Sequence, residues 1–160
     1  MKKPKTNPDL RVIARNKRAS HDYHILDRFE AGLVLQGTEV KSIRMGRVNL
    51  KDAYARIKDG EIWLTGMHVT PYEHGNIWNH TSLRERKLLL HRREIRRLRI
   101  KVEQRGLTLV PLDIYFRRHL VKVTLALVQG KREYDKRATI QQQEQKREIA
   151  RMLKEKQRRY

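Results

Sequence analysis

The segment 130–160 limits the fold more than any other stretch of the chain. It has no glycine after Gly130 and no proline, carries few apolar side chains, and sets eleven Lys and Arg against five Asp and Glu. A stretch of that kind cannot bury itself. The hydrophobic core must therefore come from what precedes it, and residues 11–129 suffice for one compact domain but not two. Residues 1–10, with Pro4, Pro8 and three lysines, read as a flexible basic arm.

The formal net charge is +20, from 38 Lys and Arg against 18 Asp and Glu. Such an excess repels itself unless a polyanion is at hand, which points to nucleic acid. A membrane surface fits less well, because the basic residues are spread over body and tail rather than set against a broad apolar helical face. There is no cysteine, hence no disulfide framework and no thiolate chemistry. The basic start is followed by Asp9-Leu10-Arg11-Val12 and no long apolar run, so neither a signal peptide nor a membrane span is read, and a cytoplasmic protein is expected.

Along the chain, residues 12–19 suggest a short strand entering one helical turn, and residues 23–35 have strand composition with Gly32 as a bend or bulge. The stretch 38–44 alternates around Val40, which predicts a strand with one dry and one wet face ended by Met45-Gly46-Arg47. Two short strands joined at Asp59-Gly60 form the strongest hairpin signal. Residues 70–82 hold Pro71, Gly75, Asn76 and Asn79 without periodicity and read as a long loop. Ser82-Leu83-Arg84-Glu85 matches a capping box, while Leu88-Leu89-Leu90 equally suits a short buried strand. A helix from about His91 follows from Ile95, Leu98 and Val102 at helical spacing, capped by Gly106. Two strands then flank Arg117-Arg118-His119, with Pro111 at an edge or bulge. Six or seven strands with one main inserted helix predict a mainly β fold, a small OB-like antiparallel barrel.

Chemical motifs are weak. His68, His74 and His80 are spaced by six and six, which matches no compact zinc pattern, and no metal site or cofactor is expected. Ser20-His21-Asp22 spells triad letters, but neighbours on a chain point in different directions and cannot form the relay. Glu30 and Glu39 could pair across neighbouring strands, though a salt bridge to an arginine explains each as well. No phosphate-binding glycine loop is present, so no enzyme is read. Basic residues interleaved with Tyr23, Tyr54, Tyr72, Trp78 and Tyr115 suit RNA, with cations on phosphates and rings on exposed bases. Phe29, Trp63 and Tyr115 are expected to be structural, and Tyr23 and Trp78 exposed.

The run 29–44, Phe-Glu-Ala-Gly-Leu-Val-Leu-Gln-Gly-Thr-Glu-Val-Lys-Ser-Ile-Arg, with Arg86-Lys87-Leu88-Leu89-Leu90-His91 and Asp135-Lys136-Arg137, closely resembles the SmpB family, the bacterial partners of transfer-messenger RNA. The resemblance extends over about residues 13–137. It implies an OB-like barrel, acting as a monomer, that binds the tRNA-like domain of transfer-messenger RNA and delivers it to stalled ribosomes for trans-translation. It also implies RNA-surface roles for Asn16, Lys17, Arg18, His21, Tyr23, Glu30, Lys87 and Leu89.

In that family the tail enters the decoding centre and the empty messenger channel of the small subunit and folds there into a helix. Carried over, Gly130 is a hinge, and Lys131, Arg132, Tyr134, Asp135, Lys136 and Arg137 are decoding-centre contacts. The family commonly has Lys-Gly-Lys-Lys where this chain has Gln129-Gly130-Lys131-Arg132, so no basic contact is carried to Gln129. The residues themselves support a disordered or conditionally helical tail. Ile149, Met152, Leu153 and Lys156 fall at i, i+3, i+4 and i+7, with i,i+4 support from Glu144 and Glu148, and such a helix orders on RNA from about Ile140 to Arg158. A ribosomal protein or assembly factor with an OB body is the alternative reading, and an RNA-processing enzyme built on Glu30, Glu39 and a histidine is a further one.

Overall fold

The structure, a computed structural model, describes residues 10–74 and 81–158. β1 (Leu10–Arg15) leads through α1 (Lys17–Asp22) into the long β2 (Tyr23–Leu33). α2 (Gly37–Arg44), β3 (Val48–Asn49), β4 (Tyr54–Lys58), β5 (Glu61–Thr65) and β6 (His68–Val69) follow. β7 (Arg86–Leu89) precedes α3 (Arg92–Arg105), then come the hairpin β8 (Thr108–Arg117) and β9 (Leu120–Gly130), and last α4 (Glu133–Arg158).

Six antiparallel strands run in the order β8-β4-β5-β7-β2-β9, and β9 pairs back with β8, closing an OB-like barrel. β1 lies along the far half of β8, and β3 and β6 form a separate pair. Closure satisfies the strand edges that an open sheet of this size would expose. Inward residues such as Ala31, Ile62, Leu64, Leu88, Leu109, Ile114, Val123 and Leu125 fill the interior. The β4–β5 turn places Asp59 and Gly60 at φ 52° and 74°, the mirror-image turn that Asp-Gly favours. α3 buries Leu98 in the barrel core with Ile95 and Val102 beside it, and stops at Gly106 in the left-handed region.

Residues 37–44 form a helix, not the strand expected from their alternation. Glu39, Ser42 and Ile43, at i, i+3 and i+4, are its buried residues. The Gln36 N–H donates to the Glu39 carboxylate at 2.9 Å, which fixes the first turn. Seven residues contain less than two helical turns, too few for periodicity to separate the two readings. The capping box at Ser82 is also not realised: residues 86–89 take the strand alternative, and Glu85 bonds Arg56 and Thr65.

The tail is one continuous helix in this structure rather than a contact motif followed by a later helix. It begins at Glu133, so Tyr134, Asp135, Lys136 and Arg137 occupy its first turns. At 1.5 Å per residue its 26 residues reach about 39 Å. Ile149, Met152 and Leu153 are exposed along it. Glu144 and Glu148 are each other's i,i+4 neighbours, and neither makes an ion pair among the described residues. The sequence expectations for residues 1–9 and for Trp78 and His80 lie outside the described residues.

Candidate nucleic-acid interface

Strand register brings a set of distant residues onto one outer face of the barrel. β2 pairs with β9 so that Ile25 faces Val128, Arg28 faces Ala126, Glu30 faces Thr124 and Gly32 faces Lys122. Directly opposed residues share a face, and so do residues two apart. The bulge between Ile25 and Asp27 keeps Tyr23 and Ile25 on the same face as Arg28 and Glu30, where an unbroken strand would have turned them inward. Gly32 faces Leu89 on β7, and a Cβ on Gly32 would stand 3.2 Å from Leu89 Cβ. Leu89 therefore lies over a glycine and remains 53% exposed. Lys87, two residues away, faces Trp63 and bonds Glu61.

Glu30 stands in the middle of this face. The Tyr115 hydroxyl donates to Oε2 at 2.5 Å and Arg117 Nη1 donates to Oε1 at 2.9 Å. The Tyr115 bond, opposed by partial burial and aided by Arg117 and Lys122, holds the Glu30 carboxyl below its ordinary pKa. The same bond, after burial, raises the Tyr115 phenol, so it stays a donor at any working pH. Both Glu30 oxygens are occupied and Tyr115 is buried, so the groups this arrangement presents outward are cations.

α1 covers the other end of the face, where Ala19, Val110, Ala126 and Val128 form a second small core with Tyr23, Ile25 and Leu112 against it. Asn16 sets α1 in place. β8 bulges between Pro111 and Asp113, and two of the carbonyls freed there are caught by Asn16: its Nδ2 donates to the Pro111 carbonyl at 3.1 Å and its N–H to the Leu112 carbonyl at 2.7 Å. The same Nδ2 reaches the Leu50 carbonyl at 3.1 Å, and Oδ1 accepts from the Ala19 N–H at 3.2 Å as the helix cap. Asn16 is buried and fully bonded, so it shapes the face rather than offering itself to a ligand. Lys17 and Arg18 are exposed on α1. Arg18 pairs with Asp22 at 3.0 Å and more loosely with Asp52 at 3.4 Å. Tyr23, expected to be exposed, is half-buried against the α1 core, and Tyr54 is the open ring instead, at 44% exposure.

Ser20, His21 and Asp22 come closer to a relay than adjacency alone suggested, since His21 Nδ1 lies 2.8 Å from Asp22 Oδ1. The Ser20 hydroxyl points elsewhere, donating to the Lys17 carbonyl at 3.3 Å. The His21 bond, against the effect of burial and with help from Arg18 and Lys136, lowers the Asp22 pKa.

The base of the tail is moored to this same end. Gly130 closes β9 opposite Tyr23, and the Lys131 N–H donates to the Asp22 carbonyl at 2.9 Å. Lys131 Nζ reaches the Ser20 carbonyl at 3.0 Å and Thr139 Oγ1 at 3.1 Å, and Asp135 Oδ2 lies 3.4 Å from His24 Nε2. Arg132 and Arg137 are exposed, while Asp135 and Lys136 are half-buried at the joint.

Glu39 is elsewhere, inside the barrel's flank. Arg84 and Arg86 grip it at 2.6 and 2.7 Å. Arg86 is fully buried and spends its remaining donors on the carbonyls of Met67, Arg84 and Ser82. Burial pushes the Glu39 carboxyl up, but Arg84, the Gln36 N–H and Arg86 outweigh it and the net shift is downward. The expectation that Glu30 and Glu39 might pair across neighbouring strands fails, because Glu39 is on a helix and its two oxygens are sealed by arginines. Among the described residues no group of three or more His, Cys, Asp or Glu could hold a metal ion, and no helix is long and apolar enough to cross a membrane.

A closed OB-like barrel with a cationic outer face and a basic helix moored to its rim defines a nucleic-acid-binding protein of the OB type. The sequence model of the SmpB protein family matches residues 13–155, and the chain belongs to that family. It is 55% identical over 152 residues to an SsrA-binding protein of Syntrophobacter fumaroxidans, covering 95% of this chain and 94% of the relative. Similar proteins of the same name occur in Carboxydothermus hydrogenoformans, 54% identical over 90% of this chain and 97% of the relative, and in Bacillus cytotoxicus, 55% identical over 92% and 95%. Among solved structures, a chain described under "tmRNA-SmpB: a journey to the center of the bacterial ribosome" is 50% identical, with a TM-score of 0.64 over 79% of this chain and 93% of that one.

Sequence reasoning from the residues themselves missed Arg28, Arg117 and Lys122, all on or beside the outer face. No local signal marks them. Their side chains are ordinary surface types, and only register and the bulge assemble them.

Proposed function

We propose that this protein is the SsrA-binding adaptor of trans-translation: it binds the tRNA-like domain of transfer-messenger RNA and brings it to stalled ribosomes. Identity of about half the positions to SsrA-binding proteins over nearly the whole of both chains carries this reading. The body acts as address. Lys17, Arg18, His21, Lys87 and Leu89 meet RNA, with Arg117 and Lys122 beside them, while Asn16, Tyr23 and Glu30 hold that surface in shape. No bond is made or broken by the protein, and it works as a monomeric adaptor rather than an enzyme.

The tail acts on the ribosome. Lys131, Arg132, Tyr134, Asp135, Lys136 and Arg137 engage the decoding centre, with Gly130 as the joint, and the helix bearing Met152 and Leu153 continues into the messenger channel. Apolar residues on a helix that no other described residue covers favour an occupant supplied by that channel. Removing residues 131–160 should leave affinity for the tRNA-like RNA within about twofold, since those residues make only a few mooring bonds to the body, and should abolish tagging on stalled ribosomes. Filter binding and an in vitro tagging assay read the two separately, and equal loss of both overturns the division.

A further inference from the structure

Between α1, the segment 51–54 and the start of β8 lies a cleft of about 340 Å³, within the size range of small-ligand sites. Its floor is apolar, made by the buried side chains of Ala19, Ala53 and Val110. Tyr23 and Tyr54 line it as well. The rim carries Arg18, Lys51 and Asp52. Asp22 also borders the cleft, but both of its oxygens are taken, by His21 and Arg18. Asp52 is different: 76% of its side chain is exposed, its one contact is the 3.4 Å approach of Arg18 to Oδ1, and Oδ2 has no partner among the described residues. The backbone behind it packs closely on a glycine. Gly66, at φ +78°, lets the Asp52 carbonyl approach to where a Cβ would be only 2.7 Å away.

An apolar floor with aromatic rings suits the face of an unstacked nucleobase, and cations on the rim suit its phosphate. Asp52 then decides which base. An ionised carboxylate only accepts hydrogen bonds, and guanine offers it two adjacent donors on its Watson–Crick edge, N1–H and the N2 amino group. Adenine and cytosine present an acceptor beside their amino group, and uracil has a single N–H between two carbonyls. We propose that this cleft binds one extruded guanine of the RNA partner, with the base against Tyr54 and Tyr23, Asp52 on its N1–H and N2–H, and Lys51 or Arg18 on the adjoining phosphate. The inference rests on the reading of the protein as an RNA binder and names a base that the reading leaves open.

The test titrates the full chain with guanosine, inosine and adenosine monophosphates while following the ring resonances of Tyr23 and Tyr54. Guanosine monophosphate should perturb both rings at a concentration about tenfold below that needed for adenosine monophosphate, with inosine, which lacks the N2 amine, between them. Asp52→Asn should remove the preference, because an amide accepts at only one atom and sets a donor against the guanine edge. Tyr54→Ala should weaken all three nucleotides together by about tenfold. Equal response to guanosine and adenosine monophosphates, an unchanged preference in Asp52→Asn, or silent tyrosines overturns the cleft assignment. Affinity for the tRNA-like RNA, measured on the same preparations, keeps the outcomes apart: silent tyrosines with RNA still bound reject the guanine site alone, and no RNA binding rejects the functional reading as well.

Discussion

Two glutamates, each held by arginine, show how this barrel divides its charged residues between structure and recognition. Glu39 lies on α2 at 5% exposure, clamped by Arg84 and a fully buried Arg86. Glu30 lies on the outer face of β2, bonded by Tyr115 and Arg117, with its side chain 40% exposed. Both carboxyls are shifted downward, yet for different reasons. Glu39 has to overcome its own desolvation, while the largest influence on Glu30 is the Tyr115 hydroxyl. The inner site spends its arginine donors on the protein's own carbonyls. The outer site keeps cations facing solvent, where a phosphate can compete for them.

The largest expected effect breaks the inner site. Arg86→Leu leaves Glu39 buried without its central partner and four hydrogen bonds unmade, and should cost about 3–5 kcal/mol in a urea unfolding experiment. Arg117→Ala, the matching change outside, should cost under about 1 kcal/mol, because that pair is solvent-screened. Comparable losses from the two variants would erase the distinction.

The two carboxylates should also differ in their response to pH. The Glu39 carboxyl has a folded pKa below its unfolded one, so its contribution is complete above the ordinary carboxylate range and disappears as pH falls through the folded value. Glu39→Gln should therefore flatten the fall in Tm between neutral and acid pH as well as lowering Tm at pH 7. Glu30→Gln, at a partly exposed site, should change that acid limb much less. Parallel Tm profiles for the wild type and Glu39→Gln would show that the buried carboxylate is not a main source of the acid limb.

The smallest stability effect should accompany a change in binding. Arg117→Ala should reduce the slope of log affinity for the RNA against log salt by about 0.7–0.9, the loss of one phosphate contact. An unchanged slope would confine Arg117 to holding Glu30. The same measurement on Lys87→Ala asks whether the face extends across β2 to β7.

Much of the fold is legible in local sequence because it depends on neighbours. Asp59-Gly60 specifies its turn, Gly106 its cap, and Leu98 with Ile95 and Val102 the buried stripe of α3. Residues 37–44 are legible only in part. Val40 and Ile43 fit a short strand about as well as a short helix, and the helix wins through the Glu39 bond to Gln36 and the arginines that Glu39 meets, Arg84 just before β7 and Arg86 at its start. Tyr23 shows the same limit at the interface. Its ring type suits an exposed stacking platform, but α1 folds over it, held by an Asn16 bonded to carbonyls 34 and 95 residues away.

Local sequence is enough to read a strongly basic barrel domain with a tail too polar for a core, and its motifs are specific enough to mark the SmpB family. Composition, turn residues and motif identity act within a few positions, so they survive without the rest of the chain. Tertiary packing turns Glu39 inward and Glu30 outward, carries Tyr23 onto the same face as Glu30 through the Ile25–Asp27 bulge, and sets Asp52, touched only by Arg18, at the rim of a cleft beside Tyr54. Those outcomes depend on strand register and bulges, where one extra residue reverses every side chain beyond it.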